Sequence, residues 1–353
     1  MSFKIMPKAA LPDWVTWLKN RYRVVGPTAR QGQYVFAEIA SPDELVLDYP
    51  TSVLPPKKYL LPQRETLFTF DAQSMQMKAN IEWEPTVILG VHTCDMHAIR
   101  LLDKVHATGY TDQHYQAHRQ HTTLVSIECL SPCMEQSFCK SMGTLTVPED
   151  YDLHLTDLGD SYGVDVGSEK GEALLQGFTA IWDPTSEDYQ RINKVMAEKW
   201  PRFSYRLNFD VTELPDLLAL SNNSSLWNEL GDICLGCGQC TKVCPTCYCF
   251  DVRDEVDLSL TKGQRTRTWD SCQIDRFATV AGGHNFRSTR ALRNRHRFMR
   301  KGKYHLEAYG LIGCVGCGRC AAACLVHITP VDTFNELYRR HKKGEILEEA
   351  KQA

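Results

Sequence analysis

Two short apolar runs stand out in the first half of the chain. Thr86–Val91 (TVILGV) and Thr123–Ile127 (TLVSI) are rich in β-branched and aliphatic residues, which predicts two strands. Between them Met96, Ile99, Leu102 and Val105 recur at helical spacing, with Asp95 placed to cap the helix. Strand, helix, strand predicts a right-handed βαβ unit with parallel strands. An amphipathic helix is expected around Pro12 to Tyr22 near the N-terminus. The stretch DPTSEDYQRINKVMAEKW predicts another, with Asp183 as its N-cap and Pro184 at its first position. A last helix, rich in Glu, Lys and Arg, is expected from Val331 to Gln352. The pattern divides the chain into an α/β domain over 1–182 with a mixed or parallel sheet, a helical linker over 183–225, and a helix-rich domain over 226–353. The last carries a long insertion (250–310) and the C-terminal helix.

Composition narrows the class. A chain of 353 residues has room for two or three domains, and 43% hydrophobic with 24% charged residues is the balance of a soluble globular protein. A net charge of −3 argues against a dedicated nucleic-acid or membrane-surface protein. No apolar run reaches the length of a membrane span, and the N-terminal stretch lacks the apolar core of a signal peptide, so a cytoplasmic location is expected. Fifteen cysteines in such a compartment point to metal or redox chemistry, because reducing thiol pools disfavour disulfides there.

The cysteines are grouped. CLGCGQCTKVC (234–244) and CVGCGRCAAAC (314–324) share the spacing C-x2-C-x2-C-x3-C, each with Gly-Cys-Gly in the middle. Such a repeat is the signature of a two-cluster ferredoxin-like module, in which three cysteines hold one cubane and the fourth serves the other. The reading assigns Cys234, Cys237, Cys240 and Cys324 to one 4Fe–4S cluster, and Cys314, Cys317, Cys320 and Cys244 to a second. A structural zinc site needs only four ligands and leaves the duplication unexplained. CPTC at 244–247 imitates a dithiol switch, but Cys244 already has a role.

The residues joining the two runs, CPTCYCFDVRDEVDL and RTWDSCQIDRFATVAGGHNFR followed by GCVGCGRC, resemble the electron-transfer beta subunit of cytosolic sulfhydrogenases, the NADP-linked NiFe hydrogenases. They are also similar to the A-type subunit of anaerobic sulfite reductase. The likeness extends upstream to PPKKYLLPQRETLFTF and GVHTCDMHAIRLLD. Two departures are Leu325, where a proline usually follows the fourth cysteine, and the spacing of cysteines over 129–139. The resemblance implies an iron–sulfur subunit that relays electrons between a flavin subunit meeting NAD(P)H and the catalytic subunits, either NiFe large and small subunits or a sirohaem sulfite reductase. Such a chain is an electron relay without catalytic residues.

The remaining thiols form two further sets. Cys94 follows the first predicted strand and Cys129 the second, so both emerge at the carboxyl edge of one sheet, with Cys133 and Cys139 in the loop beyond. These four are the candidate ligands of a third 4Fe–4S cluster, weighed against buried structural thiols. Cys247, Cys249 and Cys272 form a rival set that needs Asp270, His284 or solvent to complete it. His114 and His118 sit one helical turn apart with His121 beyond, a spacing that suits a metal or a solvated polar helix. The basic stretch RSTRALRNRHRFMRKGKYH could face nucleic acid or be solvated, but arginines beside an anionic cluster would raise its potential and receive an acidic partner, with docking expected near Arg293, Arg295 and Arg297. Glycine-rich nucleotide motifs and a nucleophile elbow are absent, so no flavin or nicotinamide is expected on this chain alone. Two other classes stay in view. One is a reductase acting itself on a sulfur substrate through the N-terminal cysteines, and the other a DNA-binding redox sensor, which the acidic balance disfavours.

Overall fold

A computed structural model describes residues 2–352 of the chain. Its eleven strands are β1 (Ser2–Pro7), β2 (Arg23–Arg30), β3 (Gln33–Glu38), β4 (Arg64–Asp71), β5 (Gln76–Ala79), β6 (Thr86–His92), β7 (Thr122–Ile127), β8 (Leu153–Asp157), β9 (Ser161–Val166), β10 (Phe250–Val256) and β11 (Lys262–Trp269). The chain divides into two compact units. The first comprises Met1–Leu60, Glu82–Tyr205 and Val315–Cys317, and the second Leu61–Ile81, Arg206–Cys314 and Gly318–Ala353.

The first unit is built on a seven-stranded mixed sheet in the order β1-β9-β8-β7-β6-β2-β3. Its centre is parallel: β2 with β6, β6 with β7 and β7 with β8. Every residue of β6 and β7 is buried, the condition that an apolar run without alternation requires. The helix Thr93–Ala107, followed by a shorter one at Gln113–Gln120, connects those two strands and completes the expected strand–helix–strand unit. Its cap differs from the expectation. The helix opens at Thr93 with His92 as N-cap, so Asp95 lies inside the first turn, where its carboxylate suits the positive end of the helix dipole. On one face of the sheet Trp14, Val15 and Leu18 of the helix Leu11–Lys19 pack against Val87, Leu89, Val125 and Leu155.

The helix Ser186–Lys199 also corrects the sequence reading. Thr185, not Asp183, is its N-cap: the Thr185 hydroxyl accepts from the Asp188 amide while the Asp188 carboxylate accepts from the Thr185 amide. A hydroxyl followed three residues later by an acid satisfies two orphan amides reciprocally, which an aspartate before proline does not.

The second unit contains the first cysteine run and, apart from Val315–Cys317, the second, together with helices and a four-stranded antiparallel sheet in the order β10-β11-β4-β5. The insertion at 250–310 therefore contributes a hairpin as well as the helix Arg290–Met299. Strand β11 pairs with β4 across nearly two hundred residues of sequence, and the buried Arg267 guanidinium bonds the partly buried Glu65 carboxylate there at 2.7 Å. The expected C-terminal helix is two, Pro330–Lys342 and Glu345–Gln352, broken at Gly344 with φ +80°.

Candidate metal centres

The duplicated sequence becomes a duplicated turn. Gly238 (φ +79°) caps the short helix Gln239–Lys242, and Gly318 (φ +76°) caps Arg319–Ala322 in the same way. A side chain at 238 would be strained by the left-handed backbone and would also meet the Ser271 hydroxyl at 2.9 Å. The turn lets Cys234, Cys237 and Cys240 converge. Together with Cys324 they line one pocket, with Gln273, Asn294 and Arg297 on its wall. The amide of Gly236 points at the Cys234 sulfur (3.4 Å) and that of Ile328 at the Cys324 sulfur (3.3 Å). Four sulfurs, amides aimed at sulfur and a buried guanidinium are the surroundings an iron–sulfur group needs, and no carboxylate is among the described residues lining the pocket.

Around the other thiols of the second unit the charges are arranged alike. Burial pushes the Cys320 thiol up to about 12 against the pull of Arg297, with Cys244, Cys314 and Cys240 close enough to add to the shift. Arg297 is itself buried at 5% exposure. Burial works against its charge, yet the sulfurs of Cys240, Cys320 and Cys244 hold its pKa above the ordinary value. Lys301 is opposed by burial in the same way and favoured by Cys244 and Cys247, and its ammonium donates to the Thr246 hydroxyl at 2.5 Å. Cys317 belongs to the first unit, where it is buried with Cys94, Cys129, Cys139 and Val315. There Gly316 (φ +69°) brings its backbone so near that a Cβ would lie 2.6 Å from the Cys139 amide nitrogen.

The rival thiols Cys247, Cys249 and Cys272 are brought together in a small pocket with Arg297, Arg300, Lys301 and His305. A hydrogen bond from Cys272 draws the Cys249 thiol down to about 6. Neither partner suggested by the sequence completes the set: His284 packs edge-on against Phe286, and Asp270 accepts the amide of Ser271.

The basic stretch narrows the docking reading, because two of its three candidate arginines point inward. Arg293 is buried and bonds Asp275 together with the carbonyls of Arg287 and Ser288, while Arg297 faces inward to the thiols. Arg295 donates to the carbonyl of Asn222. Buried guanidinia at 293 and 297 are not open to a partner, whereas Arg295 stays partly exposed, and it is Arg297 that offsets charge on the sulfurs.

In the first unit Cys94 stands in the opening turn of the helix after β6, and Cys129, Cys133 and Cys139 follow β7. Cys94, Cys129 and Cys139 share one buried cluster with Ala98, Leu145 and Phe203. Cys133 turns instead toward His92, its sulfur 3.8 Å from the ring Nδ1. Cys129 receives a hydrogen bond from Cys133 that lowers its thiol to about 5. His92 was not singled out in the sequence, although as the last residue of β6 it shares the carboxyl edge with Cys129. Next to Cys129 lies a buried charge network that the sequence also did not disclose. Lys199, with 0% side-chain exposure, bonds Glu128 at 2.8 Å, and His154 meets the other Glu128 oxygen at 3.3 Å. Burial raises the Glu128 pKa, but the bonds from His154 and Lys199 outweigh it and hold the carboxyl below its ordinary value.

The three histidines of 114–121 do not gather. His121 leaves the helix, bonds the Ala117 carbonyl and stacks on Trp83 at 3.6 Å. No helix among the described residues is long and apolar enough to cross a membrane.

Comparison with known proteins agrees with this geometry. The 4Fe–4S dicluster domain family matches residues 233–328. The beta subunit of sulfhydrogenase 2 from Pyrococcus furiosus is 37% identical over 327 residues, covering 92% of this chain and 95% of that protein. No solved structure matches. With likeness over nearly the whole length of both chains and the cysteine repeat inside the matched domain, the chain belongs to the sulfhydrogenase beta-subunit family of iron–sulfur proteins.

Proposed function

We propose that this chain is the iron–sulfur electron relay of a hetero-oligomeric hydrogenase of the sulfhydrogenase type. It would connect a flavin subunit that meets NAD(P)H with NiFe catalytic subunits in the cytoplasm. The observation that carries the reading is the pocket lined by Cys234, Cys237, Cys240 and Cys324, with Arg297 buried against it. In the proposed assignment these four hold one 4Fe–4S cluster, and Cys314, Cys317, Cys320 and Cys244 hold a second. Bound there, the clusters supply one-electron chemistry over a wide range of potential.

The chain's own residues set the conditions for that chemistry. Gly238 and Gly318 supply the left-handed backbone that each tight cysteine turn needs. Amides at Gly236 and Ile328 and the Arg297 guanidinium stabilise negative charge on sulfur, which favours the reduced state. The Lys301 ammonium does the same beside Cys244.

The test is anaerobic purification of the native complex through a tag on this chain. Nickel, a flavin subunit and hydrogen-dependent reduction of NADP are expected in the purified material. Sirohaem with sulfite-dependent NAD(P)H oxidation, and no nickel, would replace the hydrogenase assignment by the sulfite-reductase one.

A further inference from the structure

We propose that the first unit carries a metal centre of a different kind, a single zinc ion held by His92, Cys129 and Cys133 with its fourth position open to a cavity. The ligand atoms of these three residues all lie within 4.8 Å of one another, and they are the one such group of three or more His, Cys, Asp or Glu among the described residues. Tetrahedral zinc, with bonds of about 2.3 Å to sulfur and about 2.0–2.1 Å to nitrogen, places neighbouring ligand atoms roughly 3.5–3.8 Å apart. The Cys133 sulfur and the His92 Nδ1 are 3.8 Å apart. A cubane seats each thiolate on its own iron, so its ligands stand farther apart than ligands sharing one ion. The thiols of the Cys234 pocket show that wider arrangement, because no three of them form such a group.

The surroundings hold the donors in place. The His92 ring stacks on Tyr49 at 4.2 Å, and the Tyr49 hydroxyl is anchored to the Gly90 carbonyl at 2.7 Å. The Thr93 hydroxyl donates to the Cys129 sulfur, the kind of outer contact that orients a metal-bound thiolate. Cys94 and Cys139 remain outside the group, so the centre differs from the four-cysteine cluster expected from sequence. Beside the three donors opens a cavity of about 260 Å³, lined also by Asp48, Ser131 and Asp157. Three protein donors with an exchangeable fourth ligand is the pattern of a reactive zinc rather than a closed structural one. The site lies where parallel sheets place their ligands, at the carboxyl ends of β6 and β7. A water molecule or a small thiol is the ligand this position suits.

Metal analysis of the anaerobically purified complex, with zinc-edge X-ray absorption, tests the proposal. One zinc per copy of this chain is expected, with two sulfurs and one imidazole nitrogen in its inner shell. His92→Ala and Cys133→Ser should each remove that zinc and leave the iron content unchanged, whereas Cys247→Ser should leave both in place. Absence of zinc, a four-sulfur zinc shell, or loss of four irons in Cys133→Ser would each overturn it. None of these results bears on the clusters of the second unit, so the relay reading stands or falls separately.

Discussion

Cys234, Cys237 and Cys240 of the second unit reach a common pocket through seven consecutive residues, and a copy of the same turn delivers Cys324. In the first unit His92 and Cys133 meet across forty residues of intervening chain, brought together because β6 and β7 end side by side. One site is organised by local backbone geometry and the other by sheet topology. The charge environments differ as well. Buried cations, Arg297 and Lys301, face the sulfurs of the second unit. In the first unit the buried cation Lys199 is already matched by the carboxylate of Glu128, next in sequence to Cys129. An assembly of thiolates and sulfide carries more negative charge than a divalent ion with two thiolates, and each set of neighbours suits its proposed occupant.

The comparison breaks if the cations of the two units prove interchangeable in effect. Arg297→Met removes the charge that offsets the sulfurs around it. The expected outcome is a loss of about 5 kcal/mol of stability together with cluster absorbance, because a buried charge is left without compensation. Denaturant unfolding followed at the cluster's visible band reads both losses at once. Unchanged absorbance in a folded variant would show that Arg297 compensates nothing.

Lys199→Met should cost less, about 3 kcal/mol, by leaving Glu128 buried with only His154. Its iron content should stay at the wild-type value. The pH dependence has a definite sign. Because the folded-state Glu128 pKa is depressed, its contribution to stability is present above the unfolded value of about 4.3 and is lost as pH falls through the lower folded value. Without Lys199 the carboxyl protonates more readily, so the penalty should shrink as the pH is lowered toward 5. A penalty that does not change with pH would show that the ion pair is not its source.

What could be read in the sequence follows the same division. The ferredoxin-like repeat was legible because its ligands and glycines lie within eleven residues, and backbone turns are a local property. The runs at 86–91 and 123–127 were legible because strands buried on both faces need unbroken apolar stretches. His92 was not, since a lone histidine at a strand end carries no signal until the neighbouring strand delivers its thiols. Nor was the pairing of β4 with β11, whose half-exposed residues follow no clean alternation and whose partner lies far along the chain. The charge compensation at Arg297 was legible from the cysteines nearby in sequence, but the burial of Arg293 was not, because sequence displays a charge and not the carboxylate of Asp275 opposite it. The cap at Thr185 was overlooked for a nearby Asp–Pro pair, a reminder that the acid three residues on decides between two adjacent candidates.

The most direct test of the relay is spin quantitation by EPR on the fully reduced chain after anaerobic assembly with iron and sulfide, beside the Cys324→Ser variant. The account predicts two interacting 4Fe–4S signals in the wild type, about eight irons per chain, and loss or conversion of one signal in the variant. An EPR-silent reduced protein with zinc rather than iron in the second unit would contradict it.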